Sequence, residues 1–205
     1  MRMKMAGLLL AMAMLLAVSA IPAAAQQGGP PPMGPQLRLS STAFSDGGTI
    51  PEKYTCVAGM NNQTSPAVQW VNAPKDTASF VLLMHDPDAH APKKLEDITH
   101  WLIYNIPATS TGLPEGVKAD APATVGVQGM NIMGRPSYMG SCAPTGPDHH
   151  YTLELFALDT KLDLPAGATR ADVLKAMDGH VLAGTVYIGL FHRPEGAMRP
   201  APPAR

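Results

Sequence analysis

Strand-like patterns dominate residues 37–192, and the sequence predicts a mainly β domain of the sandwich type with one peripheral helix. Residues 80–84 and 102–106 are continuous apolar runs bounded by polar or proline residues, as in buried strands. Residues 151–158 place apolar side chains on both faces, which is typical of a central strand. Only residues 169–179 have a convincing helical pattern.

The first strands are short and are separated by turns. Leu37 and Leu39 indicate an opening strand, and Asp46-Gly47-Gly48 predicts a turn. Residues 67–71 alternate in polarity, which predicts a second short strand before the long runs begin.

The second half of the domain begins with a long segment, 117–147, that is rich in glycine and proline and lacks periodicity. Such a long loop inside a compact domain is usually functional. In the predicted helix Thr169 is the N-cap, while Val173, Leu174 and Met177 share one face. Gly179 ends the helix, and residues 180–191 form the last strand.

Both ends of the chain have compositions unlike that of the domain. Arg2 and Lys4 precede an apolar stretch at 8–18 and the small residues 23–25, so residues 1–25 are predicted to be a signal peptide. A retained anchor is the alternative. We expect residues 26–36 to be a Gly/Pro-rich tether and 193–205 a disordered Pro-rich tail. The protein would then be periplasmic or secreted, with no transmembrane segment after signal removal.

Size and charge exclude some classes of function. The region between tether and tail has about 155 residues, the size of one domain. The chain carries 15 basic and 16 acidic residues, and removal of Arg2 and Lys4 leaves 13 against 16, a net charge of −3. No basic run is present, so nucleic acid is not an expected partner.

Cys56 and Cys142 are the only cysteines. An even pair in an exported chain predicts a disulfide, which would stabilise the fold by roughly 4 kcal/mol in the chain-entropy model. Two separate buried thiols are the alternative.

Polar side chains cluster between the two long apolar runs. Asp86 and Asp88 follow the first run, and His85, His90 and His100 lie before the second. Strand ends on a rigid scaffold are common positions for binding residues. The residues therefore predict the functional centre of the molecule here.

The ordered set of motifs resembles the phosphatidylethanolamine-binding protein family, in its bacterial Raf-kinase-inhibitor-like branch. The resemblance covers residues 38–192. The matching early residues are Cys56, Asn61, Ser65-Pro66 and Trp70. The later ones are Asp86-Pro87-Asp88, His100-Trp101, Asn105-Ile106-Pro107, Gly134-Arg135-Pro136, Tyr138, Cys142, Pro144, His149, Tyr151 and the stretch 169–183.

The resemblance implies a large antiparallel sheet packed on a smaller sheet, with one or two helices. It also implies a small surface pocket for phosphate-like or other anionic groups, including phospholipid headgroups. Carried over residue by residue, the ligand-binding set is Asp86, Pro87, Asp88, His100, Cys142, Pro144, His149 and Tyr151.

Four positions depart from the family pattern. His85 and His90 stand where the family often has Asp and Pro, which raises the question of metal affinity. Ala143 replaces a proline, and His150 replaces an arginine, which removes a permanent cation.

The residues suggest how aspartates can take part in an anion site. Bare carboxylates repel phosphate, but Asp86 and Asp88 can hold protonated histidines as hydrogen-bond donors. We expect His100 and His149 to be these donors, with Tyr151 and backbone N–H groups of residues 142–146 adding neutral hydrogen bonds. The alternative is that the aspartates only cap a loop.

Three other functions remain open at this point. The Asp/His cluster has enough N and O ligands for zinc or copper, although no spacing fixes a geometry. A hydrolase would need a nucleophile, and Cys142 qualifies only if it is not bridged. An inhibitor of a partner protease or kinase would use the rim of the pocket and the 117–147 loop. The favoured interpretation is a non-catalytic binding protein without a cofactor.

Overall fold

The computed structural model describes residues 36–59 and 63–197, which contain two β-sheets and one α-helix. The predicted signal peptide, residues 26–35 of the predicted tether and residues 198–205 of the predicted tail lie outside these described residues. Within the described residues, no helix has the length and apolar character needed to cross a bilayer.

The larger sheet has six strands in the order β2-β9-β8-β4-β5-β7. Neighbours are antiparallel except β2 and β9, which are parallel. The strands are β2 (Gly48–Thr49), β4 (Ser79–His90), β5 (Asp97–Pro107), β7 (Val127–Gln128), β8 (His149–Leu158) and β9 (Val181–Phe191). The central position predicted for residues 151–158 is confirmed.

The smaller sheet has three antiparallel strands in the order β1-β3-β6. They are β1 (Arg38–Ser41), β3 (Val68–Val71) and β6 (Gly112–Leu113). Two short 3-10 helices, Glu52–Tyr54 and Cys56–Ala58, lie between β2 and β3. The predicted architecture of a large and a small sheet with a single α-helix is confirmed.

Strand β4 is longer than its apolar run indicates. It continues through Asp86 and Asp88 to His90, so these residues lie within the strand rather than after it. The pairing with β5 shifts register between Met84 and His85 and again between Asp86 and His90. Such irregularities bend a strand and re-aim its side chains.

Alternation along β4 directs its side chains into two cores. Phe80, Leu82 and Met84 belong to the core shared with the smaller sheet. Val81 and Leu83 pack in a second core with residues of the helix α1 (Arg170–Met177). Successive strand residues face opposite sides of a sheet. Asp86 and His85 accordingly meet different sets of partners.

Helix α1 begins at the N-cap Thr169, as its sequence predicts, and Thr169 and Asp172 form a complete capping box. Val173 and Met177 are buried, but Leu174 is 43% exposed, so the predicted shared apolar face holds for only two of the three residues. Gly179 follows the C-cap with φ +80°, a conformation that glycine adopts without strain.

A disulfide joins Cys56 to Cys142, as predicted, with a Cα–Cα distance of 5.3 Å. It attaches the second 3-10 helix to the loop before β8. The Cys56 N–H also donates to the Ser141 carbonyl at 3.0 Å. Gly140 allows this close approach, because a Cβ there would lie 2.8 Å from the Tyr54 carbonyl oxygen.

Candidate functional site

Asp86 on β4 and His149 on β8 form a largely buried pair. The Oδ2 atom of Asp86 lies 2.8 Å from the His149 Nδ1 atom, and Oδ1 accepts the Asp88 N–H at 3.0 Å. Asp86 is 3% exposed. Since the ionised carboxylate can only accept, Nδ1 carries the hydrogen, and Nε2 is the nitrogen of His149 that is left for a ligand.

Asp88 and His150 form a second pair on the exposed side. Asp88 Oδ2 accepts from both the backbone N–H of His150, at 2.7 Å, and its Nδ1, at 2.8 Å. These hydrogen bonds from the His150 backbone and ring lower the pKa of Asp88. The sequence paired the aspartates with His100 and His149, but the partner of Asp88 is His150.

His100 on β5 is bound to a main-chain carbonyl instead of a carboxylate. Its Nδ1 lies 3.0 Å from the Met139 oxygen, and the residue is 3% exposed. A carbonyl only accepts, so Nδ1 carries the hydrogen. Burial lowers the pKa of His100, and the nearby carbonyls and Asp86 offset this only in part. Burial and the carbonyl on Nδ1 therefore favour the neutral ring, in contrast to the protonated His100 that the sequence predicts.

Tyr151 organises the loop before β8. Its ring is fully buried, and its hydroxyl accepts the N–H groups of Cys142, at 3.0 Å, and Ala143, at 2.8 Å. Burial raises the pKa of Tyr151, and the negative charge of Asp86 adds to the effect. The sequence assigned these two N–H groups to a ligand. In the structure both N–H groups donate to the Tyr151 hydroxyl, so Tyr151 positions this loop.

Replacing Tyr151 with Phe is expected to lower the free energy of unfolding by about 2 kcal/mol, because two loop N–H groups lose their acceptor. Amide hydrogen exchange at Cys142 and Ala143 should accelerate in the variant. Tyr187→Phe is the matched control, since it removes a buried hydroxyl that donates to the Phe44 carbonyl, outside this loop. Unchanged exchange at both amides in the Tyr151 variant would contradict this role.

Three loop contacts could not be found from sequence patterns. His100 contacts the backbone oxygen of Met139, so the identity of the Met139 side chain does not indicate this contact. Gln63 accepts the Gly140 N–H at 2.6 Å, and the Tyr138 hydroxyl donates to the Tyr54 carbonyl at 2.6 Å. Each contact joins segments distant in sequence, and together they fix the loop that carries the His100 acceptor.

The comparisons with known proteins agree with this architecture. The sequence profile described as "Phosphatidylethanolamine-binding protein" matches residues 40–192. The chain belongs to this family. Among curated relatives, a UPF0098 protein of Methanothermobacter thermautotrophicus is 46% identical over 158 residues, covering 77% of this chain and 99% of the relative. A UPF0098 protein of Aquifex aeolicus is 39% identical over 163 residues, covering 78% of this chain and 91% of the relative.

Two solved structures share the phosphatidylethanolamine-binding protein fold. A putative family homologue from Chlamydia trachomatis, CT736, has a TM-score of 0.68 and 31% identity, covering 78% of this chain and 99% of that one. Escherichia coli YbcL, described as a new member of the mammalian family, has a TM-score of 0.69 and 26% identity, covering 78% of this chain and 100% of YbcL. The chain fits the bacterial branch, and its fold is that of a binding protein.

The remaining positions of the family's ligand set are Pro87, Pro144 and Cys142. Pro87 and Pro144 are exposed, and the Pro144 carbonyl accepts the Arg193 N–H at 3.3 Å. This contact involves the first residue of the predicted tail. Cys142 is held in the disulfide, so it offers no thiol at this position.

The two histidines that depart from the family pattern do not join the Asp86 cluster. His85 faces α1, where its Nδ1 lies 2.7 Å from Asp97 Oδ2. His90 is exposed and uses Nδ1 to contact the Leu95 carbonyl at 3.0 Å. Within residues 36–59 and 63–197, no group of three or more His, Cys, Asp or Glu side chains converges as metal ligands do.

Proposed function

We propose that this family member is an exported, non-catalytic binding protein that holds a phosphate-like group beside Asp86 and His149. The observation that carries the proposal is the buried Asp86–His149 pair. Asp86 engages Nδ1 of His149, which fixes the ring and leaves Nε2 as a donor whenever the ring is protonated. His150, held in the same way by Asp88, supplies a second donor at the exposed side.

The charges of this cluster explain how it can accept an anion despite two carboxylates. When the histidine beside each aspartate is protonated, its charge cancels that of the carboxylate, so an incoming phosphate meets N–H donors rather than net repulsion. Hydrogen bonds between charged groups are about twice as strong as neutral ones. The His149 side chain is 17% exposed, compared with 55% for His150, so the contribution of His149 is screened less by water.

Two further features support the export and non-catalytic parts of the proposal. The signal-like pattern of residues 1–25 and a disulfide are both typical of proteins that leave the cytoplasm. The bridged Cys142 removes the thiol that a cysteine hydrolase would need at this position.

Phospholipid headgroups and soluble phosphomonoesters both present the required phosphate-like chemistry.

We expect the affinity for phenyl phosphate, measured by calorimetry, to rise as the pH falls from 8 to 6. His149→Gln should weaken binding at pH 6 by roughly ten- to a hundredfold, because one charge-assisted hydrogen bond is lost. The ligand's own titration is common to all variants, so the difference between variants reports on the protein.

His180→Gln is the matched control for this experiment. His180 is half-exposed, and its Nδ1 lies 2.8 Å from Asp159 Oδ1. It precedes β9 and belongs to neither the Asp86–His149 pair nor the Asp88–His150 pair. Its replacement should leave the affinity unchanged at every pH. Equal affinities of the wild type and the His149 variant from pH 6 to 8 would rule out the proposed site.

A further inference from the structure

His100 differs chemically from His149 and His150, the histidines that are paired with Asp86 and Asp88. His149 and His150 have a carboxylate on Nδ1, whereas His100 has a carbonyl, which does not balance a positive charge on the ring. The ring is nearly sealed from water, and its face-to-edge partner is Tyr151, with centroids 5.0 Å apart. A buried ring in these surroundings is most stable when neutral.

The tautomer of the neutral ring then follows from the hydrogen bond at Nδ1. Nδ1 donates to the Met139 carbonyl at 3.0 Å, so Nε2 carries a lone pair and no hydrogen. Nε2 makes no hydrogen bond to a described residue, and unlike Nε2 of His85 it is not a fully enclosed atom. It is thus an acceptor that no described residue uses.

The groups around the ring favour the same assignment. The Asp86 carboxylate already accepts from the Asp88 N–H and His149, and it adds a negative charge near the ring. The Tyr151 hydroxyl accepts from two loop N–H groups and directs its own hydrogen to the Asp86 carboxylate. None of these groups supplies a hydrogen to Nε2, so the hydrogen has to come from the ligand.

We propose that Nε2 of His100 is a specificity determinant that accepts a hydrogen bond from a protonated phosphoryl oxygen, so that the site selects phosphomonoester monoanions over anions that carry no proton. The inference rests on the proposed function. His149 and His150 donate to the ionised oxygens, and His100 accepts from the remaining P–OH group. A sulfate ester has the same shape and charge but no proton, and its oxygen lone pair would oppose that of Nε2.

The chemistry of the two esters allows a direct test. The second ionisation of a phosphomonoester occurs near pH 6, so at pH 5.5 phenyl phosphate is mainly a monoanion with one P–OH group. Phenyl sulfate is also a monoanion at that pH and lacks the hydrogen. We expect calorimetry to show that phenyl phosphate binds at least about tenfold more tightly, because an unmade bond leaves a buried acceptor unpaired.

A substitution at His100 separates this role from a merely structural one. His100→Gln places an amide near the position of Nε2, and an amide can present either its oxygen or its NH2 group. The variant should gain affinity for phenyl sulfate, and the tenfold preference should shrink to less than about threefold. Circular dichroism and thermal melting establish whether the variant is folded. The wild-type comparison does not depend on the variant.

The possible outcomes separate the two proposals. Equal binding of both esters to the wild type, with the His149 effect retained, would overturn the role of His100 and leave the phosphate site intact. Tighter binding of phenyl sulfate would have the same meaning. Absence of binding for both esters from pH 5.5 to 8 would overturn the proposed function itself. Dimethyl phosphate, a diester without a P–OH group, should bind as weakly as phenyl sulfate. This arm of the experiment distinguishes free monoesters from lipid-type diesters.

Discussion

Removal of the Cys56–Cys142 disulfide is expected to lower the free energy of unfolding by about 4 kcal/mol. The two residues are 86 positions apart, and cross-linking a loop of that length removes a large conformational entropy from the unfolded chain. The variant to test is Cys56→Ala with Cys142→Ala, because Cys56 is almost fully buried and a serine would add a polar cost there. Urea unfolding monitored by tryptophan fluorescence measures the change.

Reduction of the wild type with a thiol reagent should reproduce the loss seen in the double variant. The same reagent should have no effect on the double variant, which has no other cysteine. Fixation of the 139–147 loop by Tyr151 and Gln63 is independent of the disulfide, so the reduced protein should still fold at low urea. A loss below about 1 kcal/mol would contradict the entropic account.

The long elements were predictable because their signals are local. Residues 80–84, 102–106 and 151–158 are apolar over the length of a buried strand, and Thr169 with Asp172 specifies the start of α1. β7 was not predicted, since two residues in a Gly/Pro-rich stretch show no periodicity and pair only because β5 lies beside them. The polar half of β4 was missed for a related reason: pairing with β5 and β8, not side-chain pattern, keeps it extended.

The residues of the candidate site were easier to predict than their partners. Asp86, Asp88 and His149 lie together in the structure, although the first two are more than 60 positions from the third. The identity of each hydrogen-bond partner depends on strand register, which the sequence does not specify to one residue. For this reason the sequence did not predict that His150 pairs with Asp88 or that His100 binds the Met139 carbonyl.

His85, one of the two histidines that raised the question of metal affinity, belongs to a network of charged side chains on the other face of the sheet. His85 Nδ1 is 2.7 Å from Asp97 Oδ2, and its Nε2 is 3.4 Å from Glu154 Oε2, an ion-pair distance without hydrogen-bond geometry. Asp97 Oδ1 accepts from the Arg170 guanidinium of α1. Four elements, β4, β5, β8 and α1, therefore meet through largely buried charges.

Asp97→Asn is expected to lower the free energy of unfolding by about 3 kcal/mol, because it leaves the Arg170 charge buried without its carboxylate. The side chains of Asp97 and Arg170 are only 15% and 16% exposed, so water compensates little. Asp159→Asn is the matched control, since it removes the partner of a half-exposed histidine, His180. It should change stability by no more than about 0.5 kcal/mol in urea unfolding.

The pH dependence of the network has a defined sign. Burial lowers the pKa of His85, but its contacts with Glu154 and Asp97 outweigh burial, and the pKa is raised above the ordinary value of 6.5. A raised pKa in the folded state means that the stabilisation is fully present below pH 6.5 and is lost as the pH rises through the folded-state pKa. For Asp97, burial opposes the effect of Arg170 and His85, but its pKa is lowered, so its contribution is lost only as the pH falls below 3.8.

Urea unfolding of the wild type should consequently show stability falling between pH 6 and 9, and His85→Gln, which cannot titrate at this position, should show a smaller fall. Subtracting the two curves removes the contributions of the other histidines, which both proteins share. The difference in free energy of unfolding between the wild type and the variant should diminish with increasing pH, because only the charged form of His85 is attracted to both Asp97 and Glu154. A difference that is constant from pH 6 to 9 would mean that His85 stabilises the fold by packing alone, with no part for its charge.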